Sequence, residues 1–308
     1  MAFNENQSQK IKICFVVNEC NFFYSHRFEL ARKLTSIAEV FLLTDVSTTN
    51  KKLLNKIVDA DINIRPLQRR TSKKGLIGFF SYFINLFDLI NKIKPTAIFF
   101  VTLEISLIGS LISFFKKRIY FYYLVTGFGP FLFEQNFKNK FLFYIHKFIF
   151  ISRKRMDNIK FIFQNTKDKD TFIDLGFTDE KSAVLIHGSG IDLTAYTFKK
   201  RDFDKPLSFL FASRLVKAKG IREYLEASQI IKETYPEISI YIAGKYDPKD
   251  PDRISKELFH NIQNSDFVEY LGNVPHDKIY ETYMNSDIFV LPSYGEGLPK
   301  AALEAAAS

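Results

Sequence analysis

A chain of 308 residues is longer than one compact core usually serves, so two domains are expected. Its 46% hydrophobic content suits a globular protein, and two cysteines, Cys14 and Cys20, exclude a disulfide-stapled scaffold. The formal charge of +9 is uneven: residues 1–200 hold 30 Lys/Arg against 17 Asp/Glu, and residues 201–308 hold 13 against 17.

The basic excess concentrates in residues 51–160, with 20 Lys/Arg against 6 Asp/Glu, interleaved with aromatics as in Phe114-Phe115-Lys116-Lys117-Arg118-Ile119-Tyr120. Such a surface suits nucleic acid or anionic lipid. Residues 1–10 are polar and precede a short strand, so no signal peptide is expected. The most apolar long run, residues 75–93, is interrupted by Ser81, Asn85, Asp88, Asn91 and Lys92. It falls short of the roughly twenty mainly apolar residues that a membrane span needs. Cys14 lies in an apolar strand pattern, which predicts a buried thiol and a reducing compartment.

In chain order, residues 11–17 read as the first strand. A loop over 18–25 is expected next, then a helical pattern on Phe28, Ala31 and Leu34. Further strands are expected at 40–43, 62–64, 97–101, 119–124, 160–163 and 183–186. Helices lie between them, including one over 76–93 that Pro95 helps to end. Alternating strands and helices predict a doubly wound parallel α/β sheet, whose ligands sit at the carboxyl ends of strands. Residues 137–155, FKNKFLFYIHKFIFISRKR, suit either an amphipathic helix on a membrane or an ordinary core-facing helix. Asp168-Lys169-Asp170 lies in a polar helical pattern, which argues against a metal-ligand role.

The second half opens with a polar linker, residues 197–206, and a strand over 207–212. Arg214 stands just past that strand, followed by Leu215-Val216-Lys217-Ala218-Lys219-Gly220 and a helix from Ile221. Cations at a strand end beside a helix N-terminus can clamp a diphosphate. A strand over 238–243 ends at Gly244. Another over 267–271 ends at Gly272-Asn273-Val274-Pro275, and a helix over 277–285 follows.

Residues 287–308, DIFVLPSYGEGLPKAALEAAAS, carry the most information. An apolar run over 287–291 has the length of a buried strand, Pro299 is expected at the first helical position, and an alanine-rich helix follows. Glu296 in the loop and Glu304 on the helix frame the unit. Gly297 lets backbone approach a ligand, and carboxylates suit vicinal diols. The plain alternative is a strand–turn–helix with Glu304 paired to Lys300 four residues earlier.

E-G-L-P-K-A-A-L-E, residues 296–304, resembles the E-x(7)-E motif of retaining glycosyltransferases of family 4, which have the GT-B architecture. The segment from Arg214 to Gly220 resembles that family's R-x(4)-K-G motif. Residues 187–192, H-G-S-G-I-D, resemble its N-G-S-G-V-D segment, with His187 in place of asparagine. Thr126-Gly127-Phe128-Gly129 resembles its T-G-x-G loop, although no histidine stands beside it to act on the donor sugar. The loop from Asn18 to Arg27 resembles the first loop of bacterial members that build lipid-linked surface glycans, without the glycines that many of them have there.

The resemblance implies two Rossmann-like domains, residues 1–196 on the acceptor side and 207–308 for the nucleotide sugar, joined by 197–206. Arg214 and Lys219 would hold the donor diphosphate, Glu296 the sugar hydroxyls and Glu304 the ribose diol. Gly272, Asn273 and Val274 would lie against the base, with Gly297 and Leu298 also at the donor. His26, Arg27, Thr126 and Gly127 are the acceptor-side candidates, His26 having a solvated helix start as its alternative. The implied reaction moves a hexosyl or N-acetylhexosaminyl unit, with a UDP-sugar as the expected donor. The implied acceptor is a polyprenyl-diphosphate-linked glycan of O-antigen or capsule synthesis, at the inner face of the cell membrane. It implies no metal, no cofactor and no nucleic acid, while the basic, aromatic residues 51–160 point to an anionic membrane surface as a partner. The family continues past the second glutamate's helix, so the resemblance implies a second domain incomplete at Ser308 and an inactive 308-residue chain. A GT-B nucleotide-sugar epimerase and a basic nucleic-acid-binding protein are the rival readings.

Overall fold

The computed structural model describes residues 10–47, 49–67, 75–125, 144, 147–152, 156–188, 190–198, 200, 201, 204–275, 278–296 and 298–308. It divides into two compact units, residues 1–189 and 190–308. Each is built on its own parallel sheet.

The first sheet contains β1 (Lys12–Glu19), β2 (Glu39–Asp45), β3 (Ile62–Pro66), β4 (Ala97–Val101), β5 (Tyr120–Val125), β6 (Ile159–Phe163) and β7 (Ala183–Leu185). Their order is β3-β2-β1-β4-β5-β6-β7, every pairing parallel. Both faces are covered, and β1 shows why its sequence is apolar without alternation. Cys14 and Val16 enter one core with Phe100, Phe121 and Phe161, while Phe15 and Val17 enter the other with Phe23 and Leu42. A central strand buried on both faces must be apolar at every position. Cys14 and Cys20 are free and buried, and burial pushes both thiols up from their ordinary range.

The second sheet contains β8 (Ser208–Ala212), β9 (Ser239–Ala243), β10 (Glu269–Gly272) and β11 (Ile288–Phe289), in the order β10-β9-β8-β11. All three pairings are parallel, as strands joined by crossover connections must be. Asp287 fastens β11 to β8: its Oδ2 accepts from Ser208 N–H at 2.9 Å and from Ser208 Oγ at 2.7 Å.

Three expectations need correction. No loop follows β1: Asn18 and Glu19 extend the strand, and a helix, Cys20–His26, begins at once. Cys20 and Phe23 stand three residues apart and are both buried, so one helical face is anchored in the core. The run over 287–291 is not a fully buried strand. It ladders with β8 only at Ile288 and Phe289, both half-buried, and its last pairing is Val290 N–H to Leu210 O at 2.9 Å before Pro292. Pro299 is the N-cap of helix Lys300–Ala306 rather than its first residue, because its ψ of 121° is extended.

The polar segment 197–206 is fastened in part to the second unit: Arg201 donates to the carbonyls of Met284 at 2.7 Å and Tyr283 at 3.1 Å. The expected Thr126-Gly127-Phe128-Gly129 loop lies outside the described residues, as do Ser189, Gly297 and most of 137–155.

Candidate active site

The four strands of the second sheet run parallel, so the loops that follow them gather at one edge. The loop after β8 carries Arg214 and Lys219, and its tight turn Lys217–Lys219 ends at Gly220, whose φ is +70°. The loop after β11 carries Tyr294 and Glu296. The two are stitched together: Tyr294 N–H donates to Ala218 O at 3.0 Å, and a Cβ on Gly220 would lie 2.0 Å from Pro292 O. Only glycine fits there, on grounds of both space and backbone angle.

This stitching brings Lys219 Nζ onto Glu296 Oε1 as an ion pair across 77 positions of sequence. Both side chains are about one-fifth exposed, at 21% and 23%. The Tyr294 hydroxyl also reaches Glu223 on helix Ile221–Thr234, and this contact lowers the carboxyl's affinity for its proton. Arg214 stands further out, with 66% of its side chain exposed, and its Nη1 donates to Asp250 Oδ2 at 2.7 Å.

Glu304 is 4% exposed on helix Lys300–Ala306. Its Oε1 lies 3.4 Å from Lys300 Nζ, the pair that four-residue spacing suggested, and its Oε2 accepts from Tyr283 Oη at 3.4 Å. Tyr196 bonds the same carboxylate. Burial first, then the Glu304 charge, pushes both phenols up, so they remain donors at neutral pH. Such donors are what a buried carboxylate requires.

The remaining donor-side candidates line the same edge. Gly272 adopts φ +75°, and its carbonyl accepts from Gly244 N–H at 2.8 Å. Asn273 is exposed, Val274 packs partly buried beside Tyr283 and Leu210, and Leu298 is exposed. Gly297 lies outside the described residues.

In the first unit, His26 closes the helix after β1. Its ring stacks on Phe22 at 4.4 Å, and its Nδ1 lies 2.6 Å from Ser25 Oγ. Arg27 is buried at 5% exposure, and its Nη1 donates to His26 O at 3.2 Å. Burial lowers its pKa to about 10. Thr126 and Gly127 lie outside the described residues. Helix Thr166–Asp174 carries Asp168-Lys169-Asp170; Asp168 N–H is capped by Asn165 Oδ1 at 2.7 Å, and Lys169 pairs with Glu180 at 2.7 Å.

Sequence reasoning missed Tyr196, Tyr283, Tyr294, Glu223, Asp250 and Asp252. The prolines and aspartates of Asp247-Pro248-Lys249-Asp250-Pro251-Asp252 are a turn signal that could have marked this loop, but nothing local tells which neighbouring loop it would face.

Two Rossmann-like parallel-sheet units, the second presenting paired cations and carboxylates on the loops above its strands, define a GT-B glycosyltransferase fold. The family described as "Glycosyl transferase 4-like" matches residues 12–165, and "Glycosyl transferases group 1" matches residues 194–308. The chain belongs to these glycosyltransferases. A curated relative from Campylobacter jejuni, N,N'-diacetylbacillosaminyl-diphospho-undecaprenol alpha-1,3-N-acetylgalactosaminyltransferase, is 32% identical over 65% of this chain and 53% of its own length. The chain therefore spans about half of that relative. The fold is also that of sucrose-phosphate synthase from Thermosynechococcus elongatus, with TM-score 0.69 and 14% identity over 96% of this chain and 79% of the other. Anabaena HepE, solved with UDP and glucose, gives 0.68 and 15% over 96% and 78%.

Proposed function

We propose that this protein transfers a sugar, with retention of anomeric configuration, from a UDP-sugar to a polyprenyl-diphosphate-linked saccharide in surface-glycan assembly. The observation that carries the reading is the Lys219–Glu296 pair, made by two loops that meet at the Gly220–Pro292 contact and the Tyr294–Ala218 hydrogen bond. The Campylobacter relative's name specifies an undecaprenol-diphosphate acceptor and an N-acetylgalactosamine donor group. N-acetylhexosamine donors are therefore the first to try.

In the proposed reaction, the acceptor oxygen forms a bond to the anomeric carbon on the face from which the diphosphate departs. The carbon–oxygen bond to the diphosphate breaks, and a leaving phosphate oxygen takes the acceptor's proton. Arg214 and Lys219 stabilise the charge growing on that diphosphate, an electrostatic role preorganised by the fold. Glu296 releases Lys219 to the phosphate and turns to the sugar hydroxyls. Glu304, steadied by Tyr283, accepts from the ribose. His26, Arg27, Thr126 and Gly127 belong to the acceptor side. The domains on this reading are 1–196 and 207–308, joined by 197–206.

A mass-spectrometric screen of sugar nucleotides with an undecaprenyl-diphosphate-linked saccharide tests the reading. It expects the acceptor to gain one sugar mass and free nucleoside diphosphate to appear. A new isomer of the free sugar nucleotide without acceptor modification would establish the epimerase alternative instead.

We also propose a peripheral seat on the cytoplasmic face of the membrane. Phe80 and Ile84 on helix Gly75–Ile93, with Phe115 just past Phe114, are 58%, 64% and 69% exposed. Phe115 packs edge-on to Phe87, and Lys116 lies 4.9 Å over the Phe87 ring. Lys117 and Arg118 follow directly, so apolar and cationic groups are exposed together. No helix among the described residues is long and apolar enough to cross a membrane.

A further inference from the structure

The loop after β9 supplies none of the residues named for the donor, yet it runs alongside the whole diphosphate loop. Leu215 N–H donates to Lys245 O at 3.0 Å, Lys217 N–H to Asp252 O at 2.9 Å, and Ile254 N–H to Leu215 O at 3.3 Å. Val216 and Arg253 form an antiparallel bridge. Two side chains complete the seam. Asp252 Oδ2 accepts from Ala218 N–H at 3.1 Å, inside the turn that carries Lys219. Asp250 Oδ2 accepts from Arg214 Nη1 at 2.7 Å, while its Oδ1 accepts from Asp252 N–H at 3.0 Å.

The asymmetry of exposure assigns the roles within the Arg214–Asp250 pair. Asp250 is 17% exposed and Arg214 66%. The carboxylate is thus a fixed wall, and the guanidinium keeps open edges. An exposed ion pair adds little stability, so the consequence of this one is geometric. A guanidinium held by one edge presents the rest of its planar fork in a set direction. Asp252 acts on the backbone: the first N–H groups of a short helical turn lack internal partners, and Asp252 supplies acceptors for two of them. Pro248 and Pro251 alternate with the aspartates and restrict the loop from which both carboxylates project.

We propose that Asp250 and Asp252 are positioning residues of the donor diphosphate site. Asp250 aims Arg214, and Asp252 holds the turn that presents Lys219. The inference rests on the reading of Arg214 and Lys219 as the diphosphate clamp.

Calorimetric titration of the full chain with inorganic pyrophosphate, UDP and uridine tests it. Asp252→Ala should weaken pyrophosphate and UDP binding about tenfold, the scale of one hydrogen bond that positions a charged group. Uridine, which lacks the diphosphate, should bind as before. Asp252→Asn keeps an amide oxygen for Ala218 N–H and should return affinity to within about twofold of wild type. Asp250→Ala should weaken pyrophosphate binding as well, but have no further effect once Arg214→Ala is present. If the two carboxylates act only as local negative charge, Asp252→Asn and Asp252→Ala will both tighten pyrophosphate, which overturns the proposal. Additive effects of Asp250→Ala and Arg214→Ala also overturn it. Wild type that binds neither pyrophosphate nor UDP removes the clamp itself. Wild type that binds both, with variants that match it, removes only the role of Asp250 and Asp252.

Discussion

Gly220 and Pro292 approach so closely that a Cβ on the glycine would lie 2.0 Å from the proline's carbonyl oxygen. This contact sets the separation of the two loops that carry Lys219 and Glu296. Gly220→Ala adds that Cβ and also strains a backbone at φ +70°. We expect a loss of about 1–3 kcal/mol in denaturant unfolding and a weaker UDP complex by calorimetry. Unchanged stability and affinity would mean that the loops are not set by this contact.

The roles proposed for Lys219 and Glu296 should separate binding from turnover. Lys219→Ala should weaken UDP binding and slow transfer, since the charge it meets grows in the transition state. Glu296→Gln leaves Lys219 free for the phosphate, so UDP affinity should be kept while turnover falls about a hundredfold. Equal losses of affinity in both variants would place Glu296 at the nucleotide instead.

Asp287 makes the second sheet acid-sensitive. Burial opposes its charge, but the Ser208 hydrogen bonds and Lys205 outweigh burial, and its carboxyl is held below the usual carboxylate range. A depressed folded pKa contributes stability above the unfolded value of about 3.9 and loses it as pH falls through the folded value. The loss should therefore run from about pH 4 downward. Asp287→Ala should cost about 2 kcal/mol at neutral pH, since Ser208 N–H loses a charged acceptor. Unfolding of both forms between pH 2 and 7 would check this. A constant difference across that range would contradict it.

Much of this was legible in the sequence, and what was not has physical reasons. The apolar runs at Cys14–Val17 and Phe209–Ala212 identified central strands because strands buried on both faces admit few polar residues. Four-residue spacing anticipated the Lys300–Glu304 contact. The helix Cys20–His26 was hidden because its asparagine, tyrosine and serine read as a loop, while its anchor is tertiary burial of Phe23. The run over 287–291 read as a buried strand because periodicity carries no information on how many ladder partners a strand has. Tyr196 and Tyr283 reach Glu304 from 108 and 21 positions away, and no local pattern records such a meeting.

If exposed Phe80, Ile84 and Phe115, the last followed by Lys116 and Lys117, form the proposed membrane seat, the protein should bind anionic vesicles reversibly. Each cation near such a surface contributes about 1 kcal/mol, screened within a Debye length. Co-sedimentation should fall as salt rises, and Phe115→Ser with Lys116→Glu should weaken it while UDP affinity stays as in wild type. Equal binding to neutral and anionic vesicles would contradict the electrostatic part.

A nucleoside-diphosphate-sugar site formed by the loops after β8 and β11 can be tested by calorimetry of the chain with UDP and with uridine. UDP should bind at least about tenfold more tightly than uridine, the scale of one charge-assisted contact to the diphosphate. That preference should vanish in the Arg214→Ala, Lys219→Ala double variant. Folded wild-type protein that binds none of UDP, GDP and ADP would contradict the claim, as would a double variant that keeps the full preference for UDP.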